Sequence, residues 1–577
     1  MAQVQYQPRI VYGTPPQLDW SPERLYTLWW TDEVLRYALS AMPEPTKAIV
    51  FSSKTQQELR DSLRLIDTRI AQLEERLKQL GRVSLEVEKD LYGARVSRKL
   101  VVWRNFPIRQ LPIEILMAVF RYVVGSVPGP FEANHTRRSL TATCRHFREV
   151  AIADQSLWNS FWLLDVYPWQ QSLAFLDRAG TSPLDIRFGD KEHLIRSRKE
   201  YPPLTVAHLD HLLNALLPKV SQIRKLVTRF ESIELVEHFM KRFATAGPPT
   251  LLERYEVHRT SKPYLLPSEQ ANSPIPISVH PTPKLRWLSL DGVSIDFAKL
   301  HPTNFQIIEL RRMCIQSCPT TQRFSEMLHT SPALYRLALW AAGPTHRPVA
   351  GAQRVKMSNL RELIIGDVNC AFSINMLEHI HAPRLVALTI VHVGGPDCSQ
   401  LLSMMTGMFP ELQLLSLSRL KIPTSDESMR AVVLWLESMP RIKMLKVVDV
   451  KRTILDYWTQ WQTDAYLRSW REKNGGRELV RPVLLPNLEY LHFNEQAAGD
   501  EISVLTTARQ AIGRPFKTAY TPDFHLKTIP AEELEKIRDS VGALEIIDGL
   551  KSTPVELDIH RDMAGTVDKS LQVQAPF

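Results

Sequence analysis

One spacing recurs along most of this chain: apolar-x-x-apolar-x-apolar. It reads Ile223/Leu226/Thr228, Leu252/Tyr255/Val257, Leu285/Leu288/Leu290, Phe305/Ile308/Leu310 and Leu334/Leu337/Leu339. It continues as Leu360/Leu363/Ile365, Leu385/Leu388/Ile390, Leu412/Leu415/Leu417, Ile442/Leu445/Val447 and Leu488/Leu491/Phe493. Thr228 makes the first copy the weakest, since it stands where an apolar residue belongs. Counted between middle residues, successive copies lie 29, 33, 20, 29, 26, 25, 27, 30 and 46 residues apart. An apolar strand repeated every ~20–29 residues cannot bury itself alone, and stacking on its neighbours is how it acquires a core. Proline often precedes the strand, as at Pro249, Pro283, Pro332, Pro383, Pro410, Pro440 and Pro486. Stretches at 324–330, 371–381 and 429–438 read as helices between strands.

The period predicts a curved parallel sheet over residues 170–496, an α/β array in place of the several separate domains that 577 residues would otherwise suggest. This region resembles the leucine-rich repeats. It departs from their regular form three places after the last anchor, where Asn or Cys commonly bonds the turn. Here those places hold Val293, Met313, Ala342, Val368, Val393, Leu420 and Val450. Without an asparagine ladder the expectation is an irregular, loosely wound leucine-rich-repeat-like solenoid. The alternative is a set of unrelated strands in an α/β domain.

Residues alternating with the anchors point to the other face of each strand. That set includes Trp287, Ser289, Asp291, Glu309, Arg311, Arg336, Trp340, Glu362, Lys446, Tyr490 and His492. It mixes aromatics with both signs of charge, as protein interfaces do. Trp287, Arg311, Arg336, Trp340, Lys446 and Tyr490 are therefore candidate target contacts, with the two tryptophans as anchors. The competing assignment tucks both tryptophans into gaps between irregular repeats.

The spacing of 46 implies an insertion at 451–480, rich in aromatics at Tyr457, Trp458, Trp461, Tyr466 and Trp470. It reads either as a partner-docking helix or as a helix packed over the array. Residues 497–559 read as a C-terminal cap, with a helix starting at Pro530, and 560–577 as a loose tail.

Upstream of the array, residues 1–50 read as a tail with one short helix. That helix starts at Ser21-Pro22-Glu23 and carries Trp29-Trp30. Within residues 51–100, Leu59, Leu63, Ile66, Ile70, Leu73, Leu77 and Leu80 are spaced 4, 3, 4, 3, 4, 3, a heptad seam. A seam this short serves either a homodimeric coiled coil or a helix folded back on its own chain.

Residues 106–162 hold short amphipathic helices around a small core. Leu111-Pro112-Ile113-Glu114-Ile115-Leu116 opens the first, followed by Val119, Phe120 and Val123. Breakers at Gly125, Pro128, Gly129 and Pro130 predict a loop reaching Thr136. Leu140, Cys144, Phe147 and Ala151 then predict one further helix, with Arg137, Arg138, Arg145, His146 and Arg148 on its outer face. Ser156-Leu157-Trp158 closes the stretch.

This segment resembles the F-box. The blocks are Leu111-Pro112-Ile113-Glu114-Ile115-Leu116, Thr143-Cys144-Arg145-His146-Phe147 and Leu157-Trp158, in order over about fifty residues. Phe147 stands where the family commonly has Trp, and the intervening loop reads as longer. The order of parts is similar to a class of fungal F-box proteins, which carry a heptad helix upstream and a Pro-Leu strand downstream, here at Pro183-Leu184. The resemblance implies a Skp-family adaptor as partner, contacted by Leu111, Pro112, Ile115, Leu116, Cys144, Phe147, Leu157 and Trp158.

Catalytic motifs are missing from the sequence. There is no Gly-x-Ser-x-Gly elbow, no phosphate-binding loop and no His-Glu-x-x-His site. His208/His211, His379/His381 and Cys314/Cys318 each supply only half a metal site. The expectation is a protein that is no enzyme, binds no cofactor or metal, and touches neither nucleic acid nor membrane. Five irregularly placed cysteines fit a reducing compartment, cytoplasm or nucleus. The net charge of +9, from 71 Lys+Arg against 62 Asp+Glu, is spread along the chain and does not by itself indicate nucleic acid.

Three functions compete. The leading one is a substrate-recognition adaptor of an SCF-type cullin–RING ubiquitin ligase, its repeats binding an unknown target protein. The second is a repeat scaffold with no ligase role, its F-box-like segment capping the array; Leu111, Leu116 and Trp158 would then be buried against residues 160–230. The third is a nucleic-acid binder using Arg95, Arg98, Lys99, Arg104 and Arg109.

Overall fold

The computed structural model describes residues 56–80, 85–104, 111–127, 129–190, 203–260, 274–301, 304–346, 353–395, 397–420, 422, 425–448, 484–494, 499–547 and 552–564. The Trp29-Trp30 helix and the aromatic insertion lie outside them. The chain divides into two compact units, residues 1–161 with 174–182, and residues 162–173 with 183–577.

The first unit is helical. Helices Gln56–Leu80 and Leu85–Arg104 pack on each other. The heptad seam meets its own chain: Ile66 clusters with Val101, and Leu73 with Leu91 and Ala94. Arg95 pairs with Glu74 at 3.0 Å and Arg98 with Asp67 at 2.6 Å across the two helices. Of the two uses open to the seam, the structure has the folded-back helix.

Three further helices follow: Ile113–Ser126, Pro130–Thr143 and Arg145–Ala153. The expected loop to Thr136 is corrected, because Pro130 sits in the first helical turn, where its missing N–H costs nothing. The expected single helix through Cys144 is also corrected. Cys144 is extended, and its sulfur accepts the backbone N–H of Phe147 at 3.4 Å, which caps the next helix. Arg137, expected on an outer basic face, is buried. It donates to the carbonyls of Leu157 (2.8 Å) and Ser160 and to Asn134 Oδ1.

The second unit is mixed α/β around a long parallel sheet. From Leu184–Gly189 to Leu544–Ile547, each strand of the sheet pairs in parallel with the next along the chain. Val355–Lys356 and Ile380–His381 stand apart as a two-stranded sheet. All ten copies of the sequence spacing fall on strands, and their middle anchors line up in one row. Leu226, Tyr255, Leu288, Ile308, Leu337, Leu363, Leu388, Leu415, Leu445 and Leu491 are partners from strand to strand. All are buried, and each large apolar side chain in such a row contributes about 1.5–3 kcal/mol. Helices between strands start at side-chain caps: Ser232 before Ile233–Ala244, Thr320 before Thr321–His329, Asn369 before Cys370–Leu377, Ser425 before Asp426–Glu437.

The turns after the strands share one backbone feature. Gly292, Arg312, Ala341, Asp367, His392 and Arg419 each follow the last anchor by two residues, and all have φ between 46 and 65°. A left-handed residue thus turns the chain after six successive strands. The residue after it is a buried apolar plug in five of the six: Val293, Met313, Ala342, Val393 and Leu420. The C-terminal boundary is corrected too, since Thr518–Pro522 and Leu544–Ile547, inside the expected cap, continue the sheet. His560, expected in a loose tail, lies in helix Pro554–Ala564.

Candidate functional site

Two surfaces carry the candidate residues, one in each unit. In the helical unit, the expected adaptor contacts separate into two groups. Leu116, Phe147, Leu157 and Trp158 are core. Phe120 and Phe147 meet edge to face at 5.0 Å, and Trp158 lies 5.0 Å from the ring of Phe175. Trp158 also donates its indole N–H to Ala151 O at 2.7 Å and carries the Arg178 guanidinium over its ring at 4.7 Å. These four residues are corrected from surface contacts to the frame of the unit.

The other group faces outward. Pro112 is exposed, Leu111 and Cys144 are half-buried, and Ile115 is 48% exposed. Beside them Ile113, Tyr122, Val123 and Ile152 are exposed as well, none of them singled out as a contact from sequence. Helix Ile113–Ser126 is therefore apolar on two faces. Leu116, Phe120 and Val124 cover the core, and Ile115, Tyr122 and Val123 are left uncovered. Arg121 fixes the helix by donating to both carboxylate oxygens of Asp154 at 2.7 and 2.9 Å.

In the sheet unit, the face opposite the anchors is largely self-satisfied. Trp287, expected to be an exposed anchor, is 3% exposed and lies under the Arg254 guanidinium at 3.9 Å. Arg336 bridges Glu309 (2.9 Å) and Glu362 (2.7 Å) on the strands either side. Arg311 reaches Glu309 at 3.4 Å, and Ser289 donates to the same carboxylate at 3.1 Å. Trp340 is half-buried, with its ring against Gly366, where any Cβ would stand 2.9 Å from it. The indole N–H groups of Trp287 and Trp340 have no hydrogen-bond partner among the described residues.

A second charged knot lies on the same face. Glu256 meets Arg254 and His258, and His258 also faces Asp291, which pairs with Arg312. Burial works to raise the Glu256 carboxyl, but the His258 hydrogen bond and the Arg254 charge more than offset it and hold it at about 2. Burial likewise works to lower His258, yet the carboxylates of Asp291 and Glu256 raise it overall.

The remaining expected contacts, Lys446 and Tyr490, are half-buried. Lys446 Nζ is 3.0 Å from Glu556 Oε1, and Tyr490 packs against the cluster of Ala387, Leu414, Met444, Tyr520, Ile559 and Met563. His492 on the same row is 1% exposed. Burial, with the nearby Lys446 charge, pushes its imidazole down to about 4. Glu556, Ile559 and Met563 were missed in the sequence, although their spacing of 3 and 4 marks one helical face.

No family model and no curated protein sequence matches this chain. Among solved structures it is similar to the leucine-rich repeat-containing protein LegL7 from Legionella pneumophila. That match has 10% identity and a TM-score of 0.27, and covers 71% of this chain and 98% of the other. No helix among the described residues is long and apolar enough to cross a membrane.

Proposed function

We propose that this chain is a non-enzymatic interaction adaptor. Its helical unit docks on the Skp-family adaptor of a cullin–RING ubiquitin ligase, and its strand array, a leucine-rich-repeat-like solenoid, holds a protein target. The observation that carries the reading is the uncovered apolar side of helix Ile113–Ser126, which follows the Leu111-Pro112 start of the F-box-like segment. Exposed apolar side chains grouped on one helix mark a docking surface. The contribution to catalysis would be proximity: a bound target is held near ubiquitin activated elsewhere. The compartment that fits is cytoplasm or nucleus.

A second reading, a scaffold with no ligase role, is favoured by one observation. Trp158 is fully buried and packs on Phe175, within residues 160–230. Co-purification of the full chain with a Skp-family adaptor decides between them. Ile115→Asp is the informative variant, because its position is exposed and a charge there should leave the fold intact.

A further inference from the structure

We propose that the sheet face centred on Met444 and Lys446 is a docking groove for an amphipathic helix, and that Pro554–Ala564 is its resident occupant in cis. The partner it fits is a protein helix with a carboxylate at one position and large apolar side chains three and seven places later. This deepens the proposed function, since it rests on the reading that the array holds a protein segment.

The anchors that build the core of this unit point to the other side of the sheet. On the Met444 side, Thr553 caps the start of the helix: its hydroxyl accepts the N–H of Glu556 at 3.1 Å, and its own N–H reaches the Glu556 carboxylate at 2.7 Å. Glu556 then meets Lys446 at 3.0 Å, and Ile559 and Met563 fall on Ala387, Leu414, Met444 and Tyr520. Eleven residues rise about 16 Å, the width of about three strands, so the helix spans the middle of the five-strand patch that runs from Ala387 to Tyr520.

The contact has the character of a recognition site. It uses one ion pair and one stripe at helical spacing, as helix-in-groove partners do. Met444 and Met563 meet there, and methionine adapts to more than one apolar neighbour. The opposite side of the helix exposes Asp558, Arg561 and Asp562 together with Leu557. A second helix carrying the same stripe would make the same contacts once Pro554–Ala564 lifts away.

Two measurements on the full-length chain test this. Hydrogen exchange of the wild type is expected to show amides of Pro554–Ala564 exchanging at least about tenfold faster than those of Met444–Val448, because the helix opens locally. Equal rates would mean that it leaves only when the sheet unfolds, and would overturn the proposal. The second uses a labelled synthetic peptide of residues 552–566. It should bind a chain carrying Glu556→Gln and Ile559→Ser at least about tenfold more tightly than it binds wild type, since that occupant is weakened. No binding to the variant, or equal binding by a peptide carrying Glu556→Arg and Ile559→Asp, would overturn it. Skp-family adaptor capture by the same variant should equal wild type, so loss of the adaptor reading is recognised separately.

Discussion

Lys446 Nζ and Glu556 Oε1 lie 3.0 Å apart although 110 residues separate them in the chain. Burial works to raise the Glu556 carboxyl, and Lys446 and the Thr553 N–H more than offset it. The pair ties the end of the chain to the middle of the sheet. Lys446→Met should cost roughly 2–4 kcal/mol, because it leaves the buried Glu556 carboxylate uncompensated, and Glu556→Gln should cost less, because Lys446 is partly exposed. The double variant should recover much of that loss. Denaturant melts of the four chains give the coupling directly, and additive costs would show that the pair is not coupled.

Neutral His492 supplies a pH dependence. Its folded pKa of about 4 lies below the ordinary value of 6.5, so the unfolded chain binds the extra proton between those values. Stability should be full above pH 6.5 and fall on acidification towards pH 4. His379 and His525 are also lowered by burial and act in the same direction. His492→Gln should remove roughly 1–2 kcal/mol of the loss between pH 7 and pH 5. Chemical denaturation at the two pH values measures it, and an unchanged slope would contradict the assignment.

Ala341 tests the left-handed turns. Its φ of 46° costs an L-residue roughly 1–2 kcal/mol. Ala341→Gly should raise stability by about 0.5 kcal/mol once the added backbone entropy is counted, whereas Ala341→Val should lower it by about 1–2 kcal/mol. Melting temperatures in the opposite order would show that the turn is not left-handed in solution.

Arg509 is fully buried and donates to the carbonyls of Leu484, Leu485, Leu488 and Arg514 at 2.9–3.3 Å. Arg509→Met roughly keeps the volume and removes the guanidinium donor from all four carbonyls, of which Leu485 O still accepts the N–H of Leu488. It should cost about 2–4 kcal/mol. A variant as stable as wild type would mean that water or another donor replaces the guanidinium.

The sheet was legible because its signal is periodic and one-sided. Ten apolar triplets marked ten strands, and the rows through Leu288, Leu388 and Leu445 follow from their spacing alone. The opposite face was read as exposed because alternation says only that a side chain leaves the core. It says nothing of what then meets it. Trp287 is covered by Arg254 from the strand before it, and Lys446 by Glu556 from the end of the chain. The left-handed turns were not legible because φ at Arg312 or His392 is a backbone property that side-chain type scarcely reports. In the helical unit the blocks carrying the F-box resemblance fell on helices and their caps. Their most characteristic residues, Leu116, Phe147 and Trp158, proved to be core, because a unit this small needs its largest apolar groups for itself.

That division sharpens the choice of variants. Leu116→Asp puts a charge into the core and should unfold the helical unit, whereas Ile115→Asp, one residue away and 48% exposed, should leave melting unchanged within about 0.5 kcal/mol.

The direct test of the adaptor reading is titration of the purified full-length chain with a purified Skp-family adaptor, for wild type and for Ile115→Asp. The account predicts a stable complex with wild type and at least a roughly hundredfold loss of affinity in the variant, whose carboxylate would be desolvated at the contact. No complex with wild type, or equal affinity for both chains, would contradict it.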